Sequence, residues 1–318
     1  MMRGMTTVVI TGGAGFIGSH LCDRLLAEGK RVVAVDDLSA GHIANLAEAR
    51  SYGKQFTFHN LDIRAEGLAR ILEGHTPEVV VHLAARREHG KKLDPIADAG
   101  VSVMGLLNVL EASVASGARK LVFASSASIY GEVRRLPVRE SSAPSSRPLT
   151  PSAITKKLAE DYLRFYGRSR GLDHTILVLP AVYGPRQYPA DGAGIVGRLA
   201  GAMLSGESPR IPGDGNQTRD FLFVDDAVHA FSLALPAERA PGRLVNVGTG
   251  VETSVNALCR MLTEITGFAG EPAFESAPHG LVRRIALDNE VAERELAWKP
   301  WTHLEDGLRE TVAFLRGA

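Results

Sequence analysis

The sequence has little cysteine, no excess of charge of either sign and no long apolar run. Its 318 residues include only two cysteines, Cys22 and Cys259, which excludes a disulfide scaffold and a cysteine-rich zinc module. The 36 basic residues balance 36 acidic ones. Nucleic acids and anionic membranes call for a basic excess, so neither is expected as a partner. No apolar run reaches the roughly 20 residues of a membrane span, and residues 1–7 lack a signal-peptide core. We therefore expect a cytoplasmic globular protein with a small-molecule partner. No spacing of His, Cys or Asp indicates a metal site.

Short strand-like runs alternate with helix-like segments in the first half of the chain. The runs are apolar along their whole length, which is typical of parallel strands covered on both faces, and they span residues 7–11, 31–35, 56–58, 79–83 and 120–123. Segments with apolar residues three and four apart lie between them, at residues 17–28, 66–72 and 103–116. This alternation predicts an α/β fold with a doubly wound parallel (Rossmann) sheet.

The second half is richer in proline and glycine. After about residue 176 we expect long loops with short elements, followed by helices over residues 255–266 and 304–315. These segments predict a second, smaller α/β domain that binds the substrate. The predicted division places residues 1–178, rejoined by about 221–250, in the first domain, and residues 179–220 and 251–318 in the second.

A glycine-rich turn follows the first predicted strand directly. Gly12, Gly15 and Gly18 allow a tight turn, a close backbone approach to a pyrophosphate, and close packing of the next helix on the strand. Asp36 ends the second strand, about 20 residues further on, where a carboxylate accepts hydrogen bonds from ribose hydroxyls and repels a 2′-phosphate. The pattern therefore predicts a dinucleotide site that favours NAD over NADP.

Several further blocks occur in a recognisable order. They are GGAGFIG at 12–18, VDDLSAG at 35–41, LDIR at 61–64, HLAA at 82–85, SSASIYG at 125–131, VYGPR at 182–186, GDGNQTRDF at 213–221 and NVGTG at 246–250. Together they resemble the extended short-chain dehydrogenase/reductase family over nearly the whole chain. The resemblance is closest to the NAD-dependent nucleotide-sugar epimerases and dehydratases of the UDP-glucose 4-epimerase group. It implies hydride removal from C4 of the sugar with later return, and a homodimer paired through residues 103–116 and 152–166.

The resemblance also implies roles for individual residues. Lys156 is similar to the family lysine that holds the nicotinamide ribose, and Ser126 to the serine that binds the sugar 4-hydroxyl. Other residues implied to bind the substrate are Ser128, Arg219, Tyr183 and Arg283, of which Arg219 would bind the diphosphate. The implied NAD-binding residues are Gly12, Gly15, Phe16, Ile17, Gly18, Asp36, Asp37, Leu38, Ser39, Asp62, Ile63, Leu83, Ala84, Ala85, Lys156 and Pro180.

The chain departs from the family at the catalytic tyrosine, which precedes the lysine by four residues. Ser152 stands there. A phenol has a reference pKa near 10 that a neighbouring ammonium can lower, whereas an aliphatic hydroxyl has no such range at neutral pH. Thr150 and Pro151 look like a helix start, so the alternative is that Ser152 satisfies backbone groups there. Tyr130 is a candidate substitute for the acid/base group, with packing as its alternative role.

Other departures lie around the sugar. Glu88 stands where relatives carry a pocket serine and could serve dehydration, which requires proton transfers near C5 and C6; its alternative is a solvated charge. The Asp-Glu pair of the usual dehydratases is replaced by Ala127 and Ser128. Family residues that grip the substrate are replaced at further positions, namely Ser102, Ala181, Pro278 and Leu281, for which His279 or Arg283 could compensate.

Three functions follow from this pattern. The first is dehydration of a UDP-hexosamine such as UDP-N-acetylglucosamine, with Ser126, Lys156, Glu88, Tyr130 and Ser152 as candidate catalytic residues. A 5,6-dehydratase of the kind used in tunicamycin assembly, an antibiotic pathway, is its specific form. The second is a UDP-hexose or UDP-N-acetylhexosamine 4-epimerase. The third is a non-catalytic NAD-binding sensor.

Overall fold

A seven-stranded parallel sheet forms the centre of the protein. The computed structural model describes residues 5–86, 94–189, 194–277 and 280–317. Within these ranges the strands are β1 (Thr7–Thr11), β2 (Arg31–Asp36), β3 (Phe56–Asn60), β4 (Val79–His82), β5 (Lys120–Ser126), β6 (Asp173–Leu179), β7 (Ala181–Tyr183), β8 (Arg210–Pro212), β9 (Thr218–Arg219), β10 (Phe221–Phe223), β11 (Arg243–Asn246), β12 (Thr253–Ser254) and β13 (Ala273–Glu275). The main sheet has the order β11-β6-β5-β4-β1-β2-β3. The order reverses between β1 and β4, and open sheets of this kind bind ligands at that crevice.

Helices cover both faces of the sheet. They are α1 (Phe16–Ala27), α2 (Ala47–Ser51), α3 (Gly67–His75), α4 (Pro95–Ala99), α5 (Gly105–Ala115), α6 (Pro151–Arg170), α7 (Ile195–Leu204), α8 (Val224–Ala234), α9 (Val255–Thr266), α10 (Glu290–Leu296) and α11 (Leu304–Gly317). The inner strands β1 and β4 are buried along their whole length, whereas the edge strand β3 is only partly buried. The continuous apolar runs in the sequence therefore did indicate strands that are covered on both faces. The predicted doubly wound α/β fold is confirmed.

Short strand pairs lie outside the main sheet. β10 pairs with β7, β12 with β9 and β13 with β8. The 221–250 segment supplies β11, which pairs with β6, and α8, which packs against α1. Both contacts join the 221–250 segment to elements of the first domain. On that basis we propose that the chain is divided into two domains as predicted.

The helical stretch from α4 to α5 is continuous and unusually apolar. Its two helices are joined by a π-helical segment, Gly100–Met104. By length and composition the stretch Pro95–Ala115 could cross a membrane, and 44% of its most apolar window is buried inside the protein. The helices pack instead on protein: α5 on α3 and α6, and α4 on α6. A core helix of a globular protein passes the same test of length and composition.

Candidate active site

The glycine turn between β1 and α1 is pressed against the end of β4. Gly12 has a φ of +73°, and a Cβ there would lie 2.7 Å from the backbone nitrogen of Ala84. A Cβ on Gly18 would overlap the carbonyl oxygen of Gly12. The close approach of turn, helix and neighbouring strand therefore requires glycine at both positions.

The amino end of α1 opens onto the same crevice. Its N-cap residue, Gly15, has no side chain to accept a hydrogen bond from the first turn. The first backbone N–H groups of a helix lack partners within the helix, and the helix dipole favours negative charge beside them. The turn is thus suited to a phosphate or pyrophosphate group.

Asp36 holds a carboxylate beside this turn. Its Oδ2 accepts a hydrogen bond from the Ala14 N–H (3.0 Å), and its Oδ1 accepts one from the Leu38 N–H (2.8 Å). Burial raises the pKa of this carboxyl above its ordinary value, although the backbone donors oppose the shift. Next to it, Asp37 accepts hydrogen bonds from the Ser39 N–H (2.9 Å) and hydroxyl (2.6 Å). Both carboxylates are fixed by short local bonds at the end of β2.

The loop after β3 forms the opposite side of the crevice. Asp62 accepts from the guanidinium of Arg64, with 2.6 Å between Oδ2 and Nη2, and this lowers the pKa of Asp62. Ile63 is buried, and its carbonyl oxygen accepts a hydrogen bond from the Asn108 amide at 2.6 Å. The side-chain amide of Asn108 on α5 therefore holds the loop in position.

These segments enclose a cleft of about 640 Å³. Most of the residues predicted to bind a dinucleotide line it, namely Gly12, Gly15, Phe16, Ile17, Gly18, Asp36, Asp37, Ser39, Asp62, Ile63, Leu83, Ala84 and Ala85. Leu38, Lys156 and Pro180 do not line it. Sequence reasoning missed other lining residues, namely Val35, Ala40, Gly41, Leu61, Arg64, Arg86, Val101, Ala124, Gln187 and Gly194. The position of Gly41 shortly after Asp36 was one sequence signal for this part of the cleft. The structure shows the reason for a glycine there, because a Cβ would lie 2.9 Å from the Asp36 Oδ1.

Two hydroxyls meet at the carboxyl end of β5. The Ser128 hydroxyl donates to the Ser126 Oγ at 2.9 Å, and the Ser128 N–H donates to the same oxygen at 3.2 Å. Ala127 between them is buried. The structure thus brings together two of the predicted sugar-binding residues, and each hydroxyl can both donate and accept a hydrogen bond.

Lys156 lies one helical turn after Ser152 on α6. The helix begins with Pro151, and the Thr150 Oγ1 caps it by accepting from the Ala153 N–H at 3.3 Å. The Lys156 Nζ donates to the carbonyl oxygen of Ala124, a cleft residue, at 2.6 Å and lies 4.5 Å from the centroid of the Phe123 ring. Burial lowers the pKa of Lys156 to about 8. The amine therefore changes protonation close to neutral pH.

The two predicted tyrosines are held elsewhere. Tyr130 is 1% exposed and its hydroxyl donates to the Asn246 Oδ1 at 2.7 Å, while the Tyr183 hydroxyl donates to the Leu304 carbonyl oxygen at 3.1 Å. Burial raises the pKa of both phenols well above the ordinary value. Both side chains lie in the core, which favours the packing role given above as the alternative for Tyr130, while the acid/base role of Tyr130 and the substrate role of Tyr183 stay predictions.

Arg219 and Arg283 are the two arginines predicted to bind the substrate. The Arg219 Nη1 donates to the carbonyl oxygens of Thr218 (2.7 Å) and Val282 (2.9 Å), and burial lowers the pKa of this guanidinium. Arg283 is exposed and pairs with Asp214 at 3.3 Å. Arg219 is thus a partly buried cation that donates to two neutral carbonyl oxygens, and the carboxylate of Glu132 favours its charged form.

Some predictions fall on residues that the structure does not describe. Glu88 belongs to residues 87–93, and Pro278 and His279 also lie outside the described residues. Ser102 donates a hydrogen bond to Asp98 at 3.3 Å. Among the described residues, no group of three or more His, Cys, Asp or Glu side chains is arranged to hold a metal ion.

Comparison with known proteins gives a consistent result. Residues 8–248 match the profile described as "NAD dependent epimerase/dehydratase family". The "UDP-glucose 4-epimerase" of Mycolicibacterium smegmatis is 41% identical over 97% of this chain and 98% of its own. The "dTDP-glucose 4,6-dehydratase" of Streptomyces griseus is 32% identical over 98% and 94%. A solved UDP-glucose 4-epimerase with UDP-glucose, from Thermotoga maritima, is 39% identical with a TM-score of 0.92, covering 98% of this chain and 99% of its own.

Proposed function

Because the chain belongs to the NAD-dependent epimerase/dehydratase family, which modifies nucleotide sugars, we propose that it is a UDP-hexose 4-epimerase that interconverts UDP-glucose and UDP-galactose. The relative of Mycolicibacterium smegmatis named UDP-glucose 4-epimerase matches nearly full length at 41% identity, against 32% for the dehydratase relative. Epimerisation is therefore preferred to the dehydration that the sequence alone favoured.

The turn after β5 is the observation that carries the proposal. The Ser126 and Ser128 hydroxyls lie 2.9 Å apart, and the segment 125–131 contains no carboxylate. Hydroxyls can orient a sugar hydroxyl, which epimerisation at C4 needs. Expulsion of a C6 hydroxyl needs an acid and a base, and this turn supplies neither. Dehydration would have to depend on Glu88, which lies outside the described residues.

NAD is the cofactor of this family, and the cleft fits it. The glycine turn, where a Cβ on Gly12 or Gly18 would collide with backbone, leaves room for the pyrophosphate beside α1. Asp36 would hold the adenosine ribose, and Asp62 with Ile63 would flank the adenine. When bound, NAD supplies an acceptor and donor of hydride for C4 of the sugar.

Arg219 supports a nucleotide diphosphate as the rest of the substrate. Its guanidinium is partly buried and donates to two neutral carbonyl oxygens, with Glu132 as the carboxylate that favours its charged form, so an incoming diphosphate would meet a positive charge at this position. A planar guanidinium binds phosphate oxygens in pairs, which fixes the orientation of the sugar relative to Ser126.

A homodimer is the assembly that we propose. Ile154, Leu158 and Phe165 are exposed large apolar side chains on one face of α6, four and seven residues apart, and Met104 is exposed just before α5. These four residues, the apolar stripe, lie on the two helices that the sequence predicted to pair. A two-fold axis would bury the stripe against its own copy.

The test is an incubation of the NAD-loaded protein with UDP-glucose in heavy water, with mass spectrometry and NMR of the product. We expect UDP-galactose of unchanged mass and without deuterium at carbon. Ser126→Ala should lower kcat about 5- to 13-fold, by loss of a hydrogen bond worth roughly 1–1.5 kcal/mol. The exposed Ser145→Ala variant should not change it.

Other outcomes would reject the proposal in distinct ways. Loss of one water, from UDP-glucose or from UDP-N-acetylglucosamine tested in parallel, would mean dehydration, and Glu88→Gln would be examined next. Binding of NAD without turnover of either sugar would support the sensor hypothesis.

A further inference from the structure

Removal of hydride from C4 of a sugar requires that the C4 hydroxyl lose its proton. A base must lie within hydrogen-bond reach of that hydroxyl. The aliphatic hydroxyl of Ser152 does not serve as a base near neutral pH, and the hydroxyls of Tyr130 and Tyr183 are bound to Asn246 and Leu304. Neither Ser152, at the position of the family tyrosine, nor either of these two buried phenols is therefore suited to accept this proton.

His82 does not fill the role either. Its Nδ1 shares a 2.6 Å hydrogen bond with the Thr11 hydroxyl at the end of β1. The ring is 1% exposed, and burial lowers its pKa to about 3. An imidazole with such a pKa is a poor proton acceptor, and it stays neutral beside Lys156.

The position of Lys156 is suited to proton transfer. It lies on the same face of α6 as Ser152, and its Nζ reaches the carbonyl oxygen of Ala124, which lines the cleft. The charged group that favours its ammonium form is Asp98 of α4, whose carboxylate accepts from the hydroxyls of Thr155 (2.9 Å) and Ser102 (3.3 Å). Within residues 94–189, no carboxylate forms an ion pair with Lys156.

We propose that Lys156 is itself the proton acceptor and donor for the sugar hydroxyl, a role that rests on the epimerase function proposed above. The neutral amine takes the hydroxyl proton as the O–H bond breaks and becomes an ammonium. When hydride returns to C4, the ammonium gives the proton back to the oxygen. The small side chain of Ser152 leaves the amine as the basic group at this turn of the helix.

The protonation of Lys156 is compatible with this role. With a pKa of about 8, roughly a tenth of the amine is neutral at pH 7 and half at pH 8. A lysine at the reference value of about 10.4 would be neutral in fewer than about one molecule in a thousand at pH 7.

The first experiment follows Lys156 without any turnover. The NAD-loaded protein is labelled with trace acetic anhydride between pH 6 and 11, and the acetylated peptides are quantified by mass spectrometry. Because only the neutral amine reacts, we expect a midpoint near pH 8 for Lys156, well below the reference pKa of about 10.4 for a lysine side chain. A midpoint near 10 for Lys156 overturns the proposal.

The second experiment separates proton transfer from mere positioning of the cofactor. Lys156→Arg keeps the positive donor but cannot lose its proton, so it should bind NAD within a few-fold of wild type by calorimetry while kcat falls on the order of 10²–10⁴. Small alkylamines should restore part of the activity of Lys156→Ala. Lys157→Met, which removes the neighbouring lysine, is the control and should retain activity.

The failures are distinguishable. Absence of sugar turnover in the wild type overturns the epimerase function. Turnover that survives Lys156→Arg overturns the role of Lys156 but leaves the epimerase function in place. The same holds if the fall of kcat at low pH disappears in Glu88→Gln, because Glu88 would then be the group that titrates. Loss of NAD affinity in Lys156→Arg, without amine rescue of Lys156→Ala, assigns the lysine to positioning.

Discussion

At the scale of single residues, two helical glycines differ in the space around them. Gly18 on α1 faces the backbone of the glycine turn, where a Cβ would overlap the Gly12 carbonyl oxygen. A Cβ added to Gly74 on α3 would meet no neighbouring atom within 4 Å. The same added methyl group therefore has opposite consequences at the two positions.

Gly18→Ala should lower the free energy of unfolding by about 1–3 kcal/mol, since the turn and helix must separate to accept the methyl group. It should also weaken NAD binding, because the same turn forms the phosphate site. Gly74→Ala, the matched control, should leave stability unchanged or raise it by up to about 1 kcal/mol. Urea unfolding and calorimetry with NAD measure both effects, and equal losses in the two variants would contradict the explanation.

At the scale of elements, the sequence predicts what local chemistry determines. The start of α6 could be predicted because the capping residues Thr150 and Pro151 lie within one turn of it, and the structure shows the cap. The two-residue strands β9 and β12 could not be predicted from the sequence. They pair through Arg219 and Thr253, 34 positions apart, so their existence depends on tertiary packing.

The same limit applies to the site. The glycine turn and Asp36 were predictable, because one strand-turn-helix unit contains the phosphate site and the next strand ends in the carboxylate. Gln187 and Gly194 line the cleft from a distant segment, and no local pattern marks them. The core positions of Tyr130 and Tyr183 also depend on distant partners, at Asn246 and Leu304.

Lys120 at the start of β5 connects the sheet to the segment after α8. Its side chain is fully buried, and its Nζ donates to the carbonyl oxygens of Pro236 (2.9 Å) and Arg239. Burial lowers its pKa to about 8, against about 10.4 in an unfolded chain. Between these values the unfolded state binds more protons, so this residue adds stability as the pH rises through that window.

Lys120→Met removes this titration. The free energy of unfolding of the wild type should therefore rise relative to that of the variant between pH 8 and 10, by up to about 3 kcal/mol. The exposed Lys54→Met variant should show a difference that does not depend on pH. Urea unfolding at three pH values measures the change, and a pH-independent difference for Lys120→Met would contradict the assignment.

At the scale of the whole molecule, the apolar stripe determines the expected assembly. Phe165 is 56% exposed and Ile154 54% exposed, on a helix whose other faces are polar or packed. Leu158→Glu, at the centre of the stripe on α6, should convert the proposed dimer into a monomer because it places a charge at the centre of an apolar contact. Light scattering after gel filtration measures the mass. Phe274→Glu, at an exposed apolar position on β13, is the control and should not change it.

The position of β11 also has a consequence for how the chain is made. This strand comes from residues 243–246 yet covers the flank of β6, and it forms one edge of the sheet. During synthesis β6 is complete before β11 leaves the ribosome, so the backbone N–H and C=O groups on the side of β6 that β11 covers stay unpaired in the interval, while β5 can pair with the other side. Such an open edge is a template for pairing with another nascent chain. The nascent chain is therefore open to strand-edge pairing with other chains until residues 243–246 have been made and β11 covers β6.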